Sequence, residues 1–399
     1  MKNRTAFQKI KICFWMSCLC AGMAGCTNDG LMNKEEAQTD PIPVPTTLVQ
    51  EEVEQAVEAE RIQNVPDIYY AYHTLNETDR MLYFEVLDAL TEREEEITVS
   101  TVDAEVLKHV FTCVMNDHPE LFYVEGYQYT KYTVADRVTQ ISFYGTYTMS
   151  QEEIDNNQKA IDEYTRLCLS GMPQSDDEYD KVKYLYDYIV EKTDYDKEAP
   201  NNQNICSVFV EHRSVCQGYA KALQYLMQKT GMVSMLVTGF TEQEGHAWNL
   251  VRVNGAYYYI DATWGDAFYT IEDESVATKG ESLPINYDYF LVTTNDLYVT
   301  HEPDDEIELP KCTEQKDNYY IREGLYLTEY DEEKLKKIFE QTYADESRYV
   351  MFRCSDEAVF DEIREKLIDN QEVFQYIDNE GKSIAYSDNR TQRTISFWI

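Results

Sequence analysis

The sequence predicts an α+β protein in which helices with one apolar face alternate with antiparallel strands. Helical periodicity follows several capping residues, tyrosine-rich segments have the composition of strands, and Asn254-Gly255 separates two strand-like segments. The chain has 399 residues, 43% of them hydrophobic, which is enough for two or three folded domains. We therefore expect several modules of mixed secondary structure.

Residues 1–25 have the pattern of a signal peptide, and we predict that it is of the lipoprotein type. Basic residues precede an apolar stretch, Ile12 to Ala24, that is too short to span a bilayer. The small residues before Cys26 resemble the lipobox of bacterial lipoproteins, which implies that Cys26 becomes the first mature residue and carries lipid. The alternative is an ordinary secretory signal cleaved nearby. Both predict an extracytoplasmic protein, and the lipobox predicts a lipoprotein held at the membrane of a bacterial cell envelope.

Residues 26–65 predict a tether between this anchor and the folded body. Asp40-Pro-Ile-Pro-Val-Pro45 has proline at every second position, and a glutamate-rich run follows it. Such a composition favours an extended or weakly helical spacer.

Residues 66–171 predict an N-terminal α+β module. The capping pairs Asn76 with Asp79 and Ser150 with Glu153 indicate two helix starts. A helix with one apolar face and two tyrosine-rich strands lie between them: Val106–Met115, Tyr127–Val134 and Val138–Met149. The chain has 33 tyrosines. Because tyrosine favours half-buried pleated surfaces, we assign these a structural role, with stacking on glycans as the alternative.

Residues 309–399 predict a C-terminal α+β module in which we find no catalytic motif. Strand and helix alternate through the module before a final pair of strands reaches Ile399. The elements expected before that pair are the strand Tyr319–Leu327, the helix Glu332–Gln341, the strand Arg348–Arg353 and the helix Glu357–Asp369.

Residues 175–305 are predicted to form a middle domain, which contains the candidate catalytic residues. Ser175 with Glu178 indicates a capping box for its first helix. A later helix begins at Cys216 and ends at Gly231, and Gly218 leaves little bulk near its first turn. A thiol at a helix N-terminus meets free N–H groups and the positive end of the dipole, which favour the thiolate. The alternative is a buried structural cysteine.

Two strands joined by Asn254-Gly255 follow the buried strand Ser234–Phe240. With those two residues as the turn, His246 faces Thr263 and Trp248 faces Asp261. His246 and Asp261 then lie diagonally on one face, since side chains alternate along a strand. A thiol, an imidazole and a carboxylate supply a nucleophile, a base and a group that orients the base. The alternatives are a structural histidine and an aspartate that caps a strand end or a turn.

Three motifs resemble the core of the bacterial transglutaminase-like superfamily: Val215-Cys-Gln-Gly-Tyr-Ala220, Gly245-His-Ala-Trp-Asn249 and Tyr259-Ile-Asp-Ala-Thr-Trp-Gly-Asp266. The resemblance extends over about residues 175–300. It implies a papain-like core in which the nucleophile helix packs on an antiparallel sheet. Asp117-His-Pro-Glu-Leu-Phe-Tyr123 resembles a module found beside such domains in bacterial secreted proteins, and we assign it no chemistry.

The same resemblance implies roles for individual residues. Cys216, His246 and Asp261 match the nucleophile, the general base and the orienting acid of the family. Gln203 matches the polar side chain that completes an oxyanion hole, although Asn201, Asn202 and Asn204 are adjacent candidates.

The implied reaction is acyl transfer from a protein or peptide amide, ending in hydrolysis or in a crosslink. We expect no metal and no cofactor. The alternatives are a scaffolding or binding lipoprotein that keeps the fold without turnover, and a glycan-binding envelope protein.

Charge and cysteine usage limit the remaining possibilities. The net charge of −39 repels phosphate backbones, so a nucleic-acid partner is not expected. Of ten cysteines, three leave with the signal and Cys26 is assigned to the anchor. None of the other six forms a C-x-x-C pair, and with Cys216 as a free nucleophile an odd number remains, so we expect no full disulfide framework.

Overall fold

The computed structural model of the protein describes residues 61–62, 64–242, 244–266, 284–304, 306–377 and 384–399, together with the backbone of Gln8–Trp15. One compact unit combines the residues up to Val114 with Glu125–Thr146, and a second combines Met115–Val124 with Tyr147–Ile399. Apart from the strand at 8–15, the signal peptide, Cys26 and most of the tether lie outside the described residues. The limits of the three folded modules stay predictions.

No helix among the described residues is both long enough and apolar enough to cross a membrane.

The first unit contains a four-stranded sheet with the strand order β1-β3-β4-β2. Its elements are β1 (Gln8–Trp15), α1 (Tyr70–Thr74), α2 (Glu77–Glu92), β2 (Ile97–Val99), α3 (Ala104–Asp117), β3 (Val124–Val134) and β4 (Arg137–Tyr147), the last residues of α3 and the first of β3 belonging to the second unit. The Asn76 side chain accepts a hydrogen bond from the Asp79 amide, so the predicted cap is confirmed. The two tyrosine-rich strands are confirmed as the neighbours β3 and β4.

The helical part of the second unit begins with two long helices. Its helices are α4 (Gln151–Ser170), α5 (Glu178–Lys192), α6 (Ile205–Phe209), α7 (Cys216–Lys229), α8 (Ala262–Gly265) and α9 (Thr294–Leu297), and the short strands β5 (Asp194–Tyr195) and β6 (Arg213–Ser214) pair in parallel among them. The capping box of Ser150 and Glu153 at the start of α4 is confirmed.

The capping box predicted at Ser175 and Glu178 is wrong. Asp177 is the N-cap of α5, since its carboxylate accepts from the Tyr179 amide at 3.0 Å. The Ser175 hydroxyl instead accepts from the Asp177 amide and donates to Asp180. A carboxylate directly before the helix satisfies its free amides at shorter range than a serine two residues further away.

A four-stranded sheet with the order β10-β7-β8-β9 supports α7. Its strands are β7 (Ser234–Thr241), β8 (Glu244–Val253), β9 (Ala256–Ile260) and β10 (His301–Pro303), and every pairing in it is antiparallel. Helix α7 packs on β7 and β8, where Ala220 meets Leu236 and Ala247 in a buried cluster that Cys216 adjoins. The expected core of a helix on an antiparallel sheet is confirmed.

The hairpin of β8 and β9 has the predicted register, with Val253 opposite Ala256 and Asn249 opposite Ile260. Asn254 and Gly255 both have positive φ angles, 50° and 81°, as a tight two-residue turn requires. The pairing of Trp248 with Asp261 and of His246 with Thr263 is wrong, because the described ladder ends at Ile260. Asp261 turns out of the strand and caps α8.

The last elements of the second unit form a sheet with the order β11-β12-β14-β13. Its elements are α10 (Tyr319–Arg322), β11 (Tyr326–Leu327), α11 (Glu332–Ala344), β12 (Tyr349–Cys354), α12 (Glu357–Arg364), a π-helical turn (Glu365–Asp369), a 3₁₀ turn (Glu372–Gln375), β13 (Ala385–Asn389) and β14 (Thr394–Trp398). The strand predicted at Tyr319–Leu327 is mostly wrong. Asn318 caps a helical turn there, and only the two residues of β11 pair.

Candidate active site

Cys216 is the first residue of α7, and the backbone there leaves the thiol at the positive end of the helix. The preceding residue, Val215, is the N-cap and makes no side-chain capping hydrogen bond. Cys216 is partly exposed, whereas the other five described cysteines outside β1 are buried, and all six are free thiols. Burial raises the pKa of Cys168, Cys206 and Cys312 to about 12.

Gly218 fixes the position of this helix start. A Cβ atom on Gly218 would lie 1.9 Å from the Ser214 hydroxyl oxygen and 2.6 Å from that of Ser207. Those two hydroxyls are hydrogen-bonded to each other at 2.6 Å and are buried. Because Gly218 has no side chain, the first turn of α7 packs directly against the segment that precedes it. The sequence analysis expected little bulk at this position.

His246 and Asp261 form a buried hydrogen-bonded pair beside the cysteine. The Nε2 atom of His246 lies 2.8 Å from Oδ2 of Asp261, and the two side chains are 8% and 0% exposed. The other carboxylate oxygen of Asp261 accepts from the amides of Thr263 and Trp264 at the start of α8. Asp261 thus binds the imidazole and caps a short helix at once.

Nε2 of His246 is bound to Asp261, so Nδ1 is the ring nitrogen that remains for another partner. Cys216 is close enough to this ring to contribute to the pKa of His246. Burial of the ring disfavours its charge, but Asp261 and Cys216 outweigh burial and raise the pKa of His246 to about 10. Burial also opposes charge on Asp261, yet the neighbouring imidazoles hold the pKa of Asp261 well below its usual range. The arrangement favours the protonated imidazole of His246 beside Cys216.

Asn249 joins α7 to the strand that carries His246. Its side-chain amide donates to the carbonyl of Ala220 at 3.0 Å, and both residues are buried. This bond ties α7, which begins at Cys216, to β8. The sequence placed Asn249 in a motif but gave it no role.

His301 is a residue of this site that the sequence analysis missed. Its Nε2 atom lies 3.2 Å from Oδ2 of Asp261, the oxygen that also binds His246. It lies on β10, which reaches the site by pairing with β7, far away in sequence. No local motif marks it. The one available signal was scarcity, since the chain has only six histidines.

Gln203 contacts the first turn of α7 through its backbone carbonyl. Its carbonyl accepts from the side-chain amide of Gln217, the residue after Cys216, at 3.2 Å, while the residue itself is exposed. Of the adjacent candidates, Asn204 is occupied as the N-cap of α6 and Asn202 donates to the Lys197 carbonyl. The oxyanion role of Gln203 stays a prediction.

His246, Asp261 and His301 are also the one group in the described ranges with metal-ligand potential. Their ligand atoms all lie within 4.8 Å of one another, and two imidazoles with a carboxylate are ligands that zinc accepts. Both Nε2 atoms, however, face the same carboxylate oxygen at hydrogen-bond distances. A cation there would have to displace both bonds, so the geometry fits a proton-mediated network better than a metal centre.

Comparison with known proteins agrees with this geometry. The family model for the transglutaminase-like superfamily matches residues 169–262, which include Cys216, His246 and Asp261. Kyphoscoliosis peptidase of mouse is 21% identical over 152 residues, which is 34% of this chain and 22% of that protein. The human protein of the same name is 22% identical over 169 residues, 37% of this chain and 25% of that protein. The chain thus spans a quarter or less of these relatives.

A solved structure of a TGase is also similar, at 20% identity, with 33% of this chain and 42% of that chain covered and a TM-score of 0.25. A helix that begins with a cysteine, packed on an antiparallel sheet that carries the histidine, is the arrangement expected of this core. The chain therefore contains a domain of the transglutaminase-like superfamily.

Proposed function

We propose that this protein is a secreted, lipid-anchored cysteine enzyme that transfers acyl groups from protein or peptide amides at a bacterial cell envelope. Cys216 is the nucleophile, His246 the general acid and base, and Asp261 the residue that orients His246. The observation that carries the proposal is the buried His246–Asp261 pair placed against a partly exposed thiol at a helix N-terminus.

The reaction follows from where the proton lies. With the proton on His246, the Cys216 sulfur attacks the amide carbonyl carbon, and a C–S bond forms as the carbonyl oxygen becomes an oxyanion. The first-turn amides of α7 stabilise that oxyanion, with Gln203 as a further proposed donor. His246 then gives its proton to the leaving nitrogen as the C–N bond breaks, which leaves a thioester on Cys216 and releases an amine or ammonia.

The thioester has two fates. Water, deprotonated by His246, attacks the carbonyl carbon and yields a carboxylic acid, or an amine attacks in the same way and yields a new amide. Both return the proton to His246 and the thiolate to Cys216. We propose hydrolysis as the main outcome, because bulk water competes wherever the sulfur is open to solvent.

The cellular location rests on the sequence of the first residues. The apolar stretch ending before Cys26 and the proline-containing segment after it support an anchor followed by a spacer. Such an arrangement would hold the catalytic domain at the outer side of a membrane, where envelope proteins and cell-wall peptides are available as substrates. Palmitate labelling of the expressed chain, lost in Cys26→Ala, tests this part separately.

Detection of the thioester tests the reaction. The chain is incubated with a mixture of envelope proteins and a biotin-labelled primary amine, quenched in acid, and the Cys216 peptide is examined by mass spectrometry. We expect an acyl mass on Cys216 that is absent from Cys216→Ala and reduced in His246→Ala. Exposed His212 provides a matched control, since His212→Ala lies outside the network.

The products distinguish the outcomes. Deamidated or cleaved proteins without biotin indicate hydrolysis, and biotin incorporation indicates crosslinking. If neither product forms and no acyl mass is found on Cys216, the result would favour the alternative of a scaffold that keeps the fold without turnover. The chain has all three residue types that the reaction needs, at Cys216, His246 and Asp261, and this counts against that alternative.

A further inference from the structure

We propose that His301 is a positioning residue of the active site, which holds the Asp261 carboxylate in place for His246 by donating a second hydrogen bond to the same oxygen. This inference rests on the proposed function, because it assigns a task within the same reaction. His301 does not touch the cysteine or a substrate in this role. It acts through Asp261.

The contacts around Asp261 show how its carboxylate is fixed. One oxygen accepts from the amides of Thr263 and Trp264, and the other faces the two imidazoles. The His246 nitrogen is 2.8 Å away and the His301 nitrogen 3.2 Å away. A carboxylate bound at one oxygen by the backbone and at the other by two rings cannot rotate without breaking bonds on both sides. The second imidazole therefore limits the orientations open to the first.

His301 is held rigidly enough for this task. Its side chain is 0% exposed, and its ring lies 4.6 Å from the Trp264 ring, 4.9 Å from the Trp248 ring and 5.2 Å from the Tyr289 ring, measured between centroids. Strand β10 fixes the backbone, with His301 opposite Thr241. A ring enclosed on three sides by aromatic groups has little freedom to turn away from Asp261.

The tautomer of His301 follows from the Asp261 carboxylate. An ionised carboxylate only accepts hydrogen bonds, so the Nε2 atom that faces it, 3.2 Å away, carries a proton and donates. The Nδ1 atom lies 2.8 Å from the Thr300 hydroxyl oxygen, which also lies 3.2 Å from the Tyr289 hydroxyl and 3.3 Å from the Leu297 carbonyl. The titratable groups that face it are Asp261, His246 and Tyr289, with Cys216 linked through His246.

The two imidazoles share one carboxylate oxygen at close range. The His246 and His301 rings are 5.4 Å apart between centroids. The hydrogen bond from His301 holds the Asp261 oxygen in place, and the charge of Asp261 raises the pKa of His246.

Two variants separate hydrogen bonding from packing. His301→Phe keeps an aromatic ring among the tryptophans but has no donor, whereas His301→Gln loses the ring and keeps an N–H where Nε2 lies. The readout is the rate of Cys216 alkylation by iodoacetamide as a function of pH, located by peptide mass spectrometry, because this rate reports the thiolate held by the imidazolium. A residue that merely filled space would leave the pH dependence of this rate unchanged.

We expect His301→Phe to lower the alkylation rate near pH 6 by about tenfold and to shift the rise of the rate to higher pH, as for a hydrogen bond to a charged group. His301→Gln should stay within about threefold of the unchanged protein. Equal loss in both variants, or normal rates in His301→Phe, would overturn the inference. If unchanged Cys216 is not alkylated selectively, or His246→Ala has no effect, the proposed function itself fails.

A measurement on the unchanged protein covers the case in which His301→Phe does not fold. Nitrogen NMR of the labelled imidazoles near pH 7.5 distinguishes the two neutral tautomers. We expect a proton on Nε2 of His301. An unprotonated Nε2, or a ring that exchanges rapidly between orientations, would contradict the positioning role.

Discussion

The His246 Nε2 atom lies 2.8 Å from Oδ2 of Asp261, and this bond leaves Nδ1 of the same ring for the Cys216 sulfur. The relationship links a capping residue of α8 to the first residue of α7 through one imidazole. The charge of Asp261 raises the pKa of this imidazole. Changes at Asp261, Gly218 and Cys216 act on this link or on the packing around it.

Asp261→Asn should impair the reaction while leaving the fold largely intact. Asparagine keeps an oxygen for the amides of Thr263 and Trp264, but it removes the negative charge that raises the pKa of His246. The imidazolium then loses its proton at lower pH, and the thiolate beside it becomes less stable. We expect turnover to fall on the order of 10²–10⁴-fold. Asp187→Asn, on α5, is the matched control; equal losses in both would contradict the role of Asp261.

Asp266 should make the stability of the protein depend on pH. Burial, with a contribution from Asp194, raises the pKa of Asp266 to about 6. A carboxyl group whose pKa is higher in the folded state than in the unfolded state destabilises the fold as pH rises between those two values, and the cost is complete above the higher one. Asp266→Asn should therefore be more stable than the unchanged protein at pH 8 but not at pH 4, as measured by urea denaturation. The same difference at both pH values would show that charge is not the cause.

Gly218→Ala should destabilise the protein and displace the nucleophile. The added methyl group would meet the Ser214 hydroxyl oxygen at 1.9 Å, so the helix start or the serine must move. We expect a loss of about 1–3 kcal/mol in the free energy of unfolding and slower alkylation of Cys216. Combining it with Ser214→Ala should recover part of both losses, since that change removes the nearest atom. No recovery in the double variant would place the strain elsewhere.

Asp288→Ala should loosen the last part of the second unit. The buried Asp288 carboxylate accepts hydrogen bonds from Tyr320, Asn389 and Thr394, three partners distant in sequence. Its removal leaves the buried Tyr320 and Thr394 hydroxyls and the half-buried Asn389 amide without this acceptor, so we expect a loss of about 2–4 kcal/mol in the free energy of unfolding. Asp361→Ala, which removes an exposed pairing with Arg390, should cost under about 1 kcal/mol. Similar losses in the two variants would argue against the buried network.

The sequence was sufficient for features determined by near neighbours. Asn254-Gly255 set the hairpin register, and Cys216, His246 and Asp261 each lay in a motif with a recognisable local role. The error at Asp261 has a local origin as well. Its carboxylate competes with strand pairing by capping α8, so the strand ends one residue before the predicted pair. Asp177 displaced Ser175 as a cap for a similar reason.

Features that depend on distant segments could not be found in this way. His301 reaches Asp261 because β10 adds to the edge of β7, and no periodicity in the sequence specifies that pairing. The Asn249 bond to Ala220 likewise joins a strand to a helix across intervening elements. In both cases the residue type was visible, but its partner was determined only by packing.

Selective alkylation of Cys216 tests the central claim most directly. The unchanged protein, His246→Ala and His212→Ala are treated with iodoacetamide at about pH 6, and the modified cysteine is located by peptide mass spectrometry. The account predicts rapid modification of Cys216 ahead of the five buried thiols Cys113, Cys168, Cys206, Cys312 and Cys354, lost in His246→Ala and retained in His212→Ala. Slow, uniform modification of all cysteines, unaffected by His246→Ala, would contradict it.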